Sequence, residues 1–253
     1  MSEFKNKTAL VTGGSRGIGT AAAVALASAG CGRVVIQYNS HREGAEQTMN
    51  AIRAAGSDGA AIQADLATMD GTQQLIEAVR RECGGVDFLI NNAGSLIRRA
   101  TLDQQTEDLF DAIMTLNVKS LWFLTQAVVP DMIERGGGAI VNVSSIAART
   151  GGGPGATIYA AAKAAVSAIT KGLAKELAPR NIRVNAVSPG TVDNHFHEVF
   201  STRDVLEGVV RATPAGRLAT NDDISHCIMF LCSNRSSYIL GQTIEINGGF
   251  YMV

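Results

Sequence analysis

Lys7-Thr8-Ala9-Leu10-Val11-Thr12 runs directly into Gly13-Gly14-Ser15-Arg16-Gly17-Ile18-Gly19, and from there into the Ala-rich stretch Thr20–Ala29. The first part reads as a short buried strand, the last as a helix, and the glycines between them as a tight turn. That order is the context a phosphate-binding turn requires. Glycine lets the backbone come close to a pyrophosphate, and a helix N-terminus offers N–H groups with no partner of their own. The spacing is G-x-x-x-G-x-G rather than the G-x-G-x-x-G of the standard dinucleotide fingerprint. Taken alone, the turn is also compatible with an ordinary glycine-rich loop.

Outward from this unit the same alternation repeats. Gly32–Tyr38 reads as a strand, Glu43–Ala55 as a helix, Gly59–Asp65 as a strand and Asp70–Cys83 as a helix. Val86–Ile90 is an unbroken apolar run, as expected of a buried parallel strand. Asp103–Arg135 reads as one long helix or two abutting ones, Gly138–Val143 as a strand, and Ala147–Ala156 as a Gly-rich loop returning to a helix. Ile182–Ser188 is a further strand ending at Pro189-Gly190, and Asp222–Cys232 a helix before a closing strand, Gly241–Asn247. Thr191–Thr213 has no clean periodicity and is expected to be a lid, about 190–215, over a pocket. The alternation predicts one α/β domain over 1–253, a doubly wound parallel sheet of about seven strands with helices on both faces.

Composition narrows the function. Hydrophobic residues make up 46% and charged residues 18%, enough for a substantial core, and the formal net charge is −1 without a long basic run. Nucleic acid and an anionic membrane surface are therefore not expected partners. Cys31, Cys83, Cys227 and Cys232 show neither C-x-x-C spacing nor a metal-site pattern and are expected as reduced thiols. A strand starting near Thr8 leaves no room for a signal peptide, and no uncharged apolar stretch is long enough to span a bilayer. A cytoplasmic protein is the expectation.

The chemistry-bearing residues cluster at predicted strand ends and on one helix. Tyr159-Ala160-Ala161-Ala162-Lys163 stacks a phenol and an ammonium turn over turn. A phenol ionises near pH ~10, and a cation beside it should pull that value down toward the working range. Such a pair suits proton transfer to or from an alcohol or carbonyl oxygen. Ser144-Ser145 arrives at the C-terminal end of its strand, where open α/β sheets place ligand chemistry. No G-x-S-x-G elbow accompanies it, and His41, His195, His197 and His226 do not suggest a triad, which argues against a hydrolase. His195-Phe196-His197 lacks an indicated third ligand, so no metal site is expected. Asn117 is an amide amid apolar helix residues, either a satisfied core group or a holder of water in a proton path.

The end of the second strand, Gln37-Tyr38-Asn39-Ser40-His41-Arg42, has no carboxylate for ribose hydroxyls. Arg16 and Arg42 could instead face a 2′-phosphate, with Asn39 and Ser40 bonding to it; solvated surface charges are the alternative. Asp65 could accept from an adenine amine or serve as a helix-entry aspartate. At Asn91-Asn92-Ala93-Gly94 small residues let a ligand approach, while Asn side chains could equally tie strand ends together.

These motifs together resemble the short-chain dehydrogenase/reductase family in its subtype of roughly 250 residues, over Lys7 to about Met252. The cofactor turn T-G-x-x-x-G-x-G is Thr12, Gly13, Gly17 and Gly19, the N-N-A-G segment Asn91–Gly94, and the P-G stretch Pro189-Gly190. The tail carries Gly241-Gln242-Thr243 and Asn247-Gly248-Gly249. The resemblance implies a Rossmann-type fold and a tetrad of Asn117, Ser145, Tyr159 and Lys163. Tyr159 would be the acid/base, and Lys163 would lower its pKa and hold the nicotinamide ribose. Ser145 would polarise the carbonyl, and Asn117 would support a water-linked relay. The implied cofactor contacts are Gly13, Ser15, Arg16, Gly17, Ile18, Gly19, Asn39, Ser40, Asp65, Leu66, Asn91, Ala93, Gly94, Tyr159, Lys163, Pro189, Gly190 and Val192, with NADP favoured over NAD.

Two departures stand out. Asn194 sits where the family often has Thr, and Ser145 lies fourteen residues before Tyr159 where thirteen is commoner; the added residue is assigned to the Gly151–Gly155 loop. Within the family the chain is most similar to 3-oxoacyl-carrier-protein reductases and sugar or polyol dehydrogenases. Enoyl reduction is disfavoured because that relative spaces Tyr and Lys farther apart, and a catalytically silent dinucleotide sensor is the alternative function. Small-molecule carbonyl or alcohol substrates are expected to touch Ser145, Arg149, Tyr159 and His195. Arg98, Arg99 and His197 near the pocket suggest an anionic substrate unless they are plain surface charges. The resemblance also implies a homotetramer assembled through Asp103–Arg135, Ala156–Ala178 and the last strand.

Overall fold

The computed structural model describes residues 3–253, so Met1 and Ser2 of the expected domain lie outside the described residues. Seven strands, β1 (Thr8–Val11), β2 (Arg33–Tyr38), β3 (Asp58–Gln63), β4 (Phe88–Asn91), β5 (Gly138–Val143), β6 (Ile182–Pro189) and β7 (Thr243–Ile246), form one sheet. The order is β3-β2-β1-β4-β5-β6-β7, and every neighbouring pair is parallel. Strand alternation sends Ala9 and Val11 to one face and Leu10 to the other. On the first face Ala22, Ala23 and Leu26 of α1 (Gly17–Ser28) and Met49 and Ile52 of α2 (Arg42–Ala54) join Val34, Ile36 and Val141. Ile224 and Ile228 of α10 (Asn221–Cys232) close that layer. On the second face Leu75 and Val79 of α3 (Met69–Cys83) meet Leu124, Val128 and Met132 of α5 (Ser120–Glu134) and Leu173 of α7 (Thr157–Leu177) over Leu10, Val35, Leu89 and Ile140.

The chain order reverses between β1 and β4. Their C-terminal ends form the crevice where open α/β sheets bind ligands. The opposite sheet edge is held electrostatically. Asp87, 3% exposed, accepts from Lys7 Nζ at 2.9 Å, Thr8 N at 2.9 Å and Arg135 Nη1 at 3.4 Å.

The stretch Asp103–Arg135, read as one long helix or two abutting ones, is two: α4 (Glu107–Met114) and α5, joined by a wide π-type turn over Thr115–Lys119. Two segments differ from expectation. The Gly-rich loop begins with a helical turn, α6 (Ala147–Thr150), stopped by Gly151 in the left-handed region. The expected aperiodic lid folds as α8 (His195–Phe200) and α9 (Arg203–Ala212), the latter capped by Thr202 Oγ1 on Val205 N. The helical run Glu107–Glu134 is long and apolar enough, at a mean hydropathy of 1.3, to cross a bilayer by length and composition, although it is not uncharged. Here Leu121, Leu124, Val128 and Met132 of that run are buried against the protein's own core.

Candidate active site

The glycine turn lies in the β1/β4 crevice and is fixed by side chains from both neighbours. Gly13 has φ +66°, and a Cβ there would sit 2.8 Å from Asn92 Nδ2, so glycine serves both the turn and the close approach. Asn92 Nδ2 donates to Thr12 O at 2.8 Å and Gly13 O at 3.2 Å, while Thr12 Oγ1 accepts from Asn92 N and Ala93 N. From β2, the buried Gln37 accepts from Gly13 N at 2.8 Å and donates to Ala64 O at 2.7 Å. Asn92 ties strand ends together, one of the two readings the sequence left open, whereas Gln37 as a clamp of the turn was missed. The signal was there, since Gln37 is an uncharged amide at the end of an apolar strand.

α1 starts at Gly17 with no side-chain cap from Arg16 and no acidic residue in its first turn. Its leading N–H groups are thus available to an anion. Ser15 is buried beside it, and its carbonyl lies 3.2 Å from His41 Nδ1. Arg16, Asn39 and Ser40 are exposed around this end of the crevice, with Asn39 Nδ2 3.4 Å from Asp65 Oδ1. Arg42 departs from expectation: its guanidinium is engaged along its own helix by Glu46 at 2.8 Å. Asp65 lies past the end of β3 and accepts from Ala67 N in the turn before α3, whose cap is Thr68 rather than the helix-entry aspartate weighed for it, while Leu66 is buried in the core.

The Asn91 side chain takes the second role weighed for it, tying strand ends together. Its amide donates to Asn142 Oδ1 at 2.9 Å and Thr125 Oγ1 at 3.2 Å, and Asn142 passes the chain on to Thr170 Oγ1 at 2.9 Å. Buried amides need such partners, and these tie β4 and β5 to α5 and α7. Ala93 and Gly94 follow it at the crevice. Across the sheet, Gly190 N donates to Ile246 O at 2.8 Å after the buried Pro189, and the buried Val192 forms a bridge with Ala219.

The tetrad residues assemble at the C-terminal end of β5. Ser144 and Ser145 are separated by strand alternation. Ser144, 2% exposed, is 2.9 Å from both Lys163 O and Ser167 Oγ, which settles it into the α7 interface. Ser145 is half-buried, accepts from Ala147 N at 3.1 Å, and is the serine that meets the Tyr159 phenol. One turn further along α7, Lys163 is 3% exposed and donates to Val143 O at 2.8 Å, with Nζ 5.7 Å from the Tyr159 ring centre. Asn117 rides on the π-type turn; its Nδ2 donates to Ser95 O and Ile113 O, both at 2.8 Å. Its Oδ1 is buried and has no protein partner. A Cβ on Gly94 would come within 2.6 Å of that oxygen and 2.7 Å of Lys163 Nζ. These two polar atoms therefore flank a space that only glycine leaves open.

The electrostatics reverse one expectation. Burial pushes the Tyr159 phenol up to about 12, with the hydrogen bond to Ser145 working in the opposite direction. Burial also pushes Lys163 down to about 8. Desolvation disfavours the charged form of both groups. The ammonium is bonded to Val143 O, with Nζ 5.7 Å from the Tyr159 ring centre, and burial works against the downward shift expected from sequence.

Over the phenol lies α8. The Phe196 ring is 5.8 Å from that of Tyr159 and packs on Phe200 at 4.9 Å and on His197 at 5.2 Å. Asn194 Oδ1 caps α8 at Phe196 N, and its Nδ2 donates to Asn221 Oδ1 at 3.1 Å. Two residues expected at the substrate carry ion pairs within the chain. Arg149 is held by Glu245 at 2.8 Å, and His195 is half-exposed and paired with Glu198 at 3.2 Å. Phe196, unmarked in the sequence reading, takes the position beside the phenol. Burial, and then the nearby Arg99, push His197 below its ordinary value.

With the crevice, the phenol–hydroxyl pair and the buried lysine in place, comparison with known proteins is decisive. The family model described as Enoyl-(Acyl carrier protein) reductase matches residues 13–251. The 3-oxoacyl-[acyl-carrier-protein] reductase of Staphylococcus aureus is 39% identical over 246 residues, covering 97% of this chain and 98% of that protein. Among solved structures, a short chain dehydrogenase from Burkholderia cenocepacia in complex with NADP superposes with a TM-score of 0.88 at 35% identity, covering 98% of each chain. The NADH-dependent reductase A1-R′ responsible for alginate metabolism does so with a TM-score of 0.88 at 34% identity, covering 100% of each. The chain belongs to the short-chain dehydrogenase/reductase family and is an NAD(P)-dependent oxidoreductase.

Proposed function

We propose that the chain interconverts a carbonyl and a secondary alcohol with Tyr159 as acid/base, in one catalytic and cofactor-binding domain over 1–253. The carrying observation is the Tyr159 phenol beside the Ser145 hydroxyl, at the strand ends that also hold the glycine turn. A dinucleotide fits the residues present: the uncapped α1 N-terminus suits its pyrophosphate, and the Gly94 space with its orphaned Asn117 oxygen suits a ribose and water. Gly13, Ser15, Arg16, Gly17, Ile18 and Gly19 would hold the phosphates, Asn39 and Ser40 the adenosine ribose, and Asp65 and Leu66 the adenine. The Asn91–Gly94 backbone, Lys163, Pro189, Gly190 and Val192 would hold the nicotinamide half. When bound, the nicotinamide supplies or accepts the hydride.

The chain's own residues do the rest. Ser145 donates to the carbonyl oxygen and holds it against the phenol. Tyr159, kept neutral by burial, is loaded as the acid for reduction and gives its proton to that oxygen. Lys163 in its ammonium form, with Nζ 5.7 Å from the Tyr159 ring centre, stabilises the phenolate left behind, and Asn117 Oδ1 accepts from the relay that returns the proton. NADP is favoured by Arg16, Asn39 and Ser40 at a β2 end without a carboxylate, and by the NADP-bound Burkholderia neighbour. The substrate is a 3-oxoacyl thioester or a sugar or polyol, under a lid that spans about 190–215. Exposed Phe110, Trp122 and Phe123 on α4 and α5, and Phe250, Met252 and Val253 at the tail, support a homotetramer; a cytoplasmic setting accords with four cysteines left free.

A screen of ketones and alcohols with NADH and NADPH tests this reading. Tyr159→Phe should abolish turnover and leave cofactor binding intact. Cofactor binding without hydride transfer across the whole panel would instead establish a dinucleotide sensor.

A further inference from the structure

We propose that Arg99 is a positioning residue, a clasp that closes the substrate pocket by holding the lid and the Gly151–Gly155 loop together over Tyr159. Its Nε donates to Phe200 O at 2.9 Å and its Nη1 to Pro154 O at 2.8 Å. One planar fork thus joins two segments that are remote from it and from each other in the chain. Phe200 is the last residue of α8, and Phe196, which covers the Tyr159 ring, packs on it. Fixing the Phe200 carbonyl therefore fixes the aromatic wall that faces the phenol. On the loop side, Ala100 N donates to Gly155 O at 3.0 Å and keeps the two backbones in register with the clasp.

The segment that presents Arg99 is itself strained. Ile97 has φ +63°, a left-handed conformation that a β-branched side chain rarely adopts. Its N–H is drawn to Ser95 Oγ at 2.9 Å, next to the Ser95 carbonyl that anchors Asn117. Strain of this kind persists where surrounding structure imposes it, and it collects at ligand clamps. The same short segment thus supports the tetrad at one end and the lid at the other.

The proposal rests on Tyr159 as the acid/base only for its kinetic arm. Both of these donations go to backbone carbonyls that hold the lid and the loop, so the clasp acts by ordering those two segments. The test compares wild type, Arg99→Ala and Arg99→Lys with NADPH, using a neutral ketone from the screen and its carboxylate analogue. Arg99→Ala should raise KM for both substrates by an equal factor of about ten, the loss expected from two hydrogen bonds. NADPH affinity, read by fluorescence without a carbonyl, should stay within about twofold, and tryptic cleavage at Arg203 and Arg211 should accelerate about tenfold. Arg99→Lys, lacking the fork, should recover only a minor part of either effect. A KM loss confined to the carboxylate analogue would make Arg99 a charge-recognition residue and overturn the clasp, as would unchanged KM with unchanged cleavage. Should Arg99→Ala melt well below wild type, Arg99→Gln carries the same comparison. If Tyr159→Phe retains turnover, the acid/base reading falls while the cleavage rates still decide the clasp.

Discussion

Replacing Gly94 by alanine should cripple turnover while sparing the fold. Gly94 does not lie in the left-handed region, so its backbone accepts a side chain and the effect is steric. The added methyl would stand 2.6 Å from Asn117 Oδ1, 2.7 Å from Lys163 Nζ and 3.4 Å from Lys163 Cε. Ordinary contacts begin near ~3.5 Å, so both polar atoms must retreat by most of an ångström. Neither is a loose end: Lys163 is fastened to Val143 O and Asn117 to Ser95 O and Ile113 O, each at 2.8 Å. Overpacking of this kind costs about 1–3 kcal/mol of stability. A misplacement of ~1 Å in a catalytic array costs about a hundredfold in rate, so kcat should fall about a hundredfold with NADPH binding weakened as well. Steady-state kinetics and thermal melting read both quantities. Gly172→Ala is the control, because nothing lies within 4 Å of a Cβ there; on exposed α7 it should stabilise by about 0.5–1 kcal/mol and leave kcat unchanged. A Gly94→Ala enzyme within about threefold of wild type would refute the reasoning that the space beside Asn117 and Lys163 takes part in turnover.

Three further expectations follow from the site and its supports. Lys163 titrates at about 8 when folded against an ordinary 10.5, so the unfolded chain binds more protons between those values and wild type should gain stability relative to Lys163→Met as pH rises through them. Tyr159 titrates at about 12 against an ordinary 10, so relative to Tyr159→Phe wild type should lose stability above pH 10; melting curves with either slope reversed would contradict the burial argument. Ser145→Ala should reduce kcat by about 10²–10³, whereas Ser144→Ala should lose about 1–3 kcal/mol of stability and keep its turnover; the opposite pattern in paired kinetics and denaturation would exchange their roles. Asp87→Asn should lower stability by about 1–3 kcal/mol without altering KM, since Lys7 and Arg135 keep enough exposure to be rehydrated, and an unchanged urea midpoint would show the sheet-edge cluster to be idle.

The sheet was legible because each strand is bounded by glycine, asparagine or charge, and the intervening stretches are either Ala-rich, as in α1, or repeat apolar residues at helical spacing, as in α2 and α3. β5 occupies the same Gly138–Val143 read from the sequence. The lid was not, although Val205, Leu206, Val209 and Val210 do follow helical spacing; the Ser201-Thr202 break and the short α8 before it mask that period in any long window. The four residues brought together at the end of β5 were the ones their motifs named, Ser145 rather than Ser144 among them, though only the exit of β5 gives the physical reason that Ser145 meets the phenol. The sign of the Tyr159 shift depends on how much solvent the fold removes, which no spacing encodes. Arg149 looked free because its partner, Glu245, lies 96 residues away. Arg99 looked like surface charge for the same reason, as its acceptors are backbone carbonyls that carry no signature in the sequence.

The π-type turn over Thr115–Lys119 acts as a phase shifter between two helices that serve different masters. An α-helix advances about 100° per residue, and one surplus residue in a turn rotates everything beyond it by that angle. Before the turn, Leu109 and Ile113 lean on Ala162 beneath Tyr159; after it, Leu124, Val128 and Met132 face the sheet. A deletion of one residue there would heal the turn into regular helix and swing one of these stripes into solvent, while pulling Asn117 off its station. The segment can therefore vary in side chains far more freely than in length, and a relative with one residue fewer between Glu107 and Glu134 would have to rebuild both the helix packing and the anchorage of Asn117.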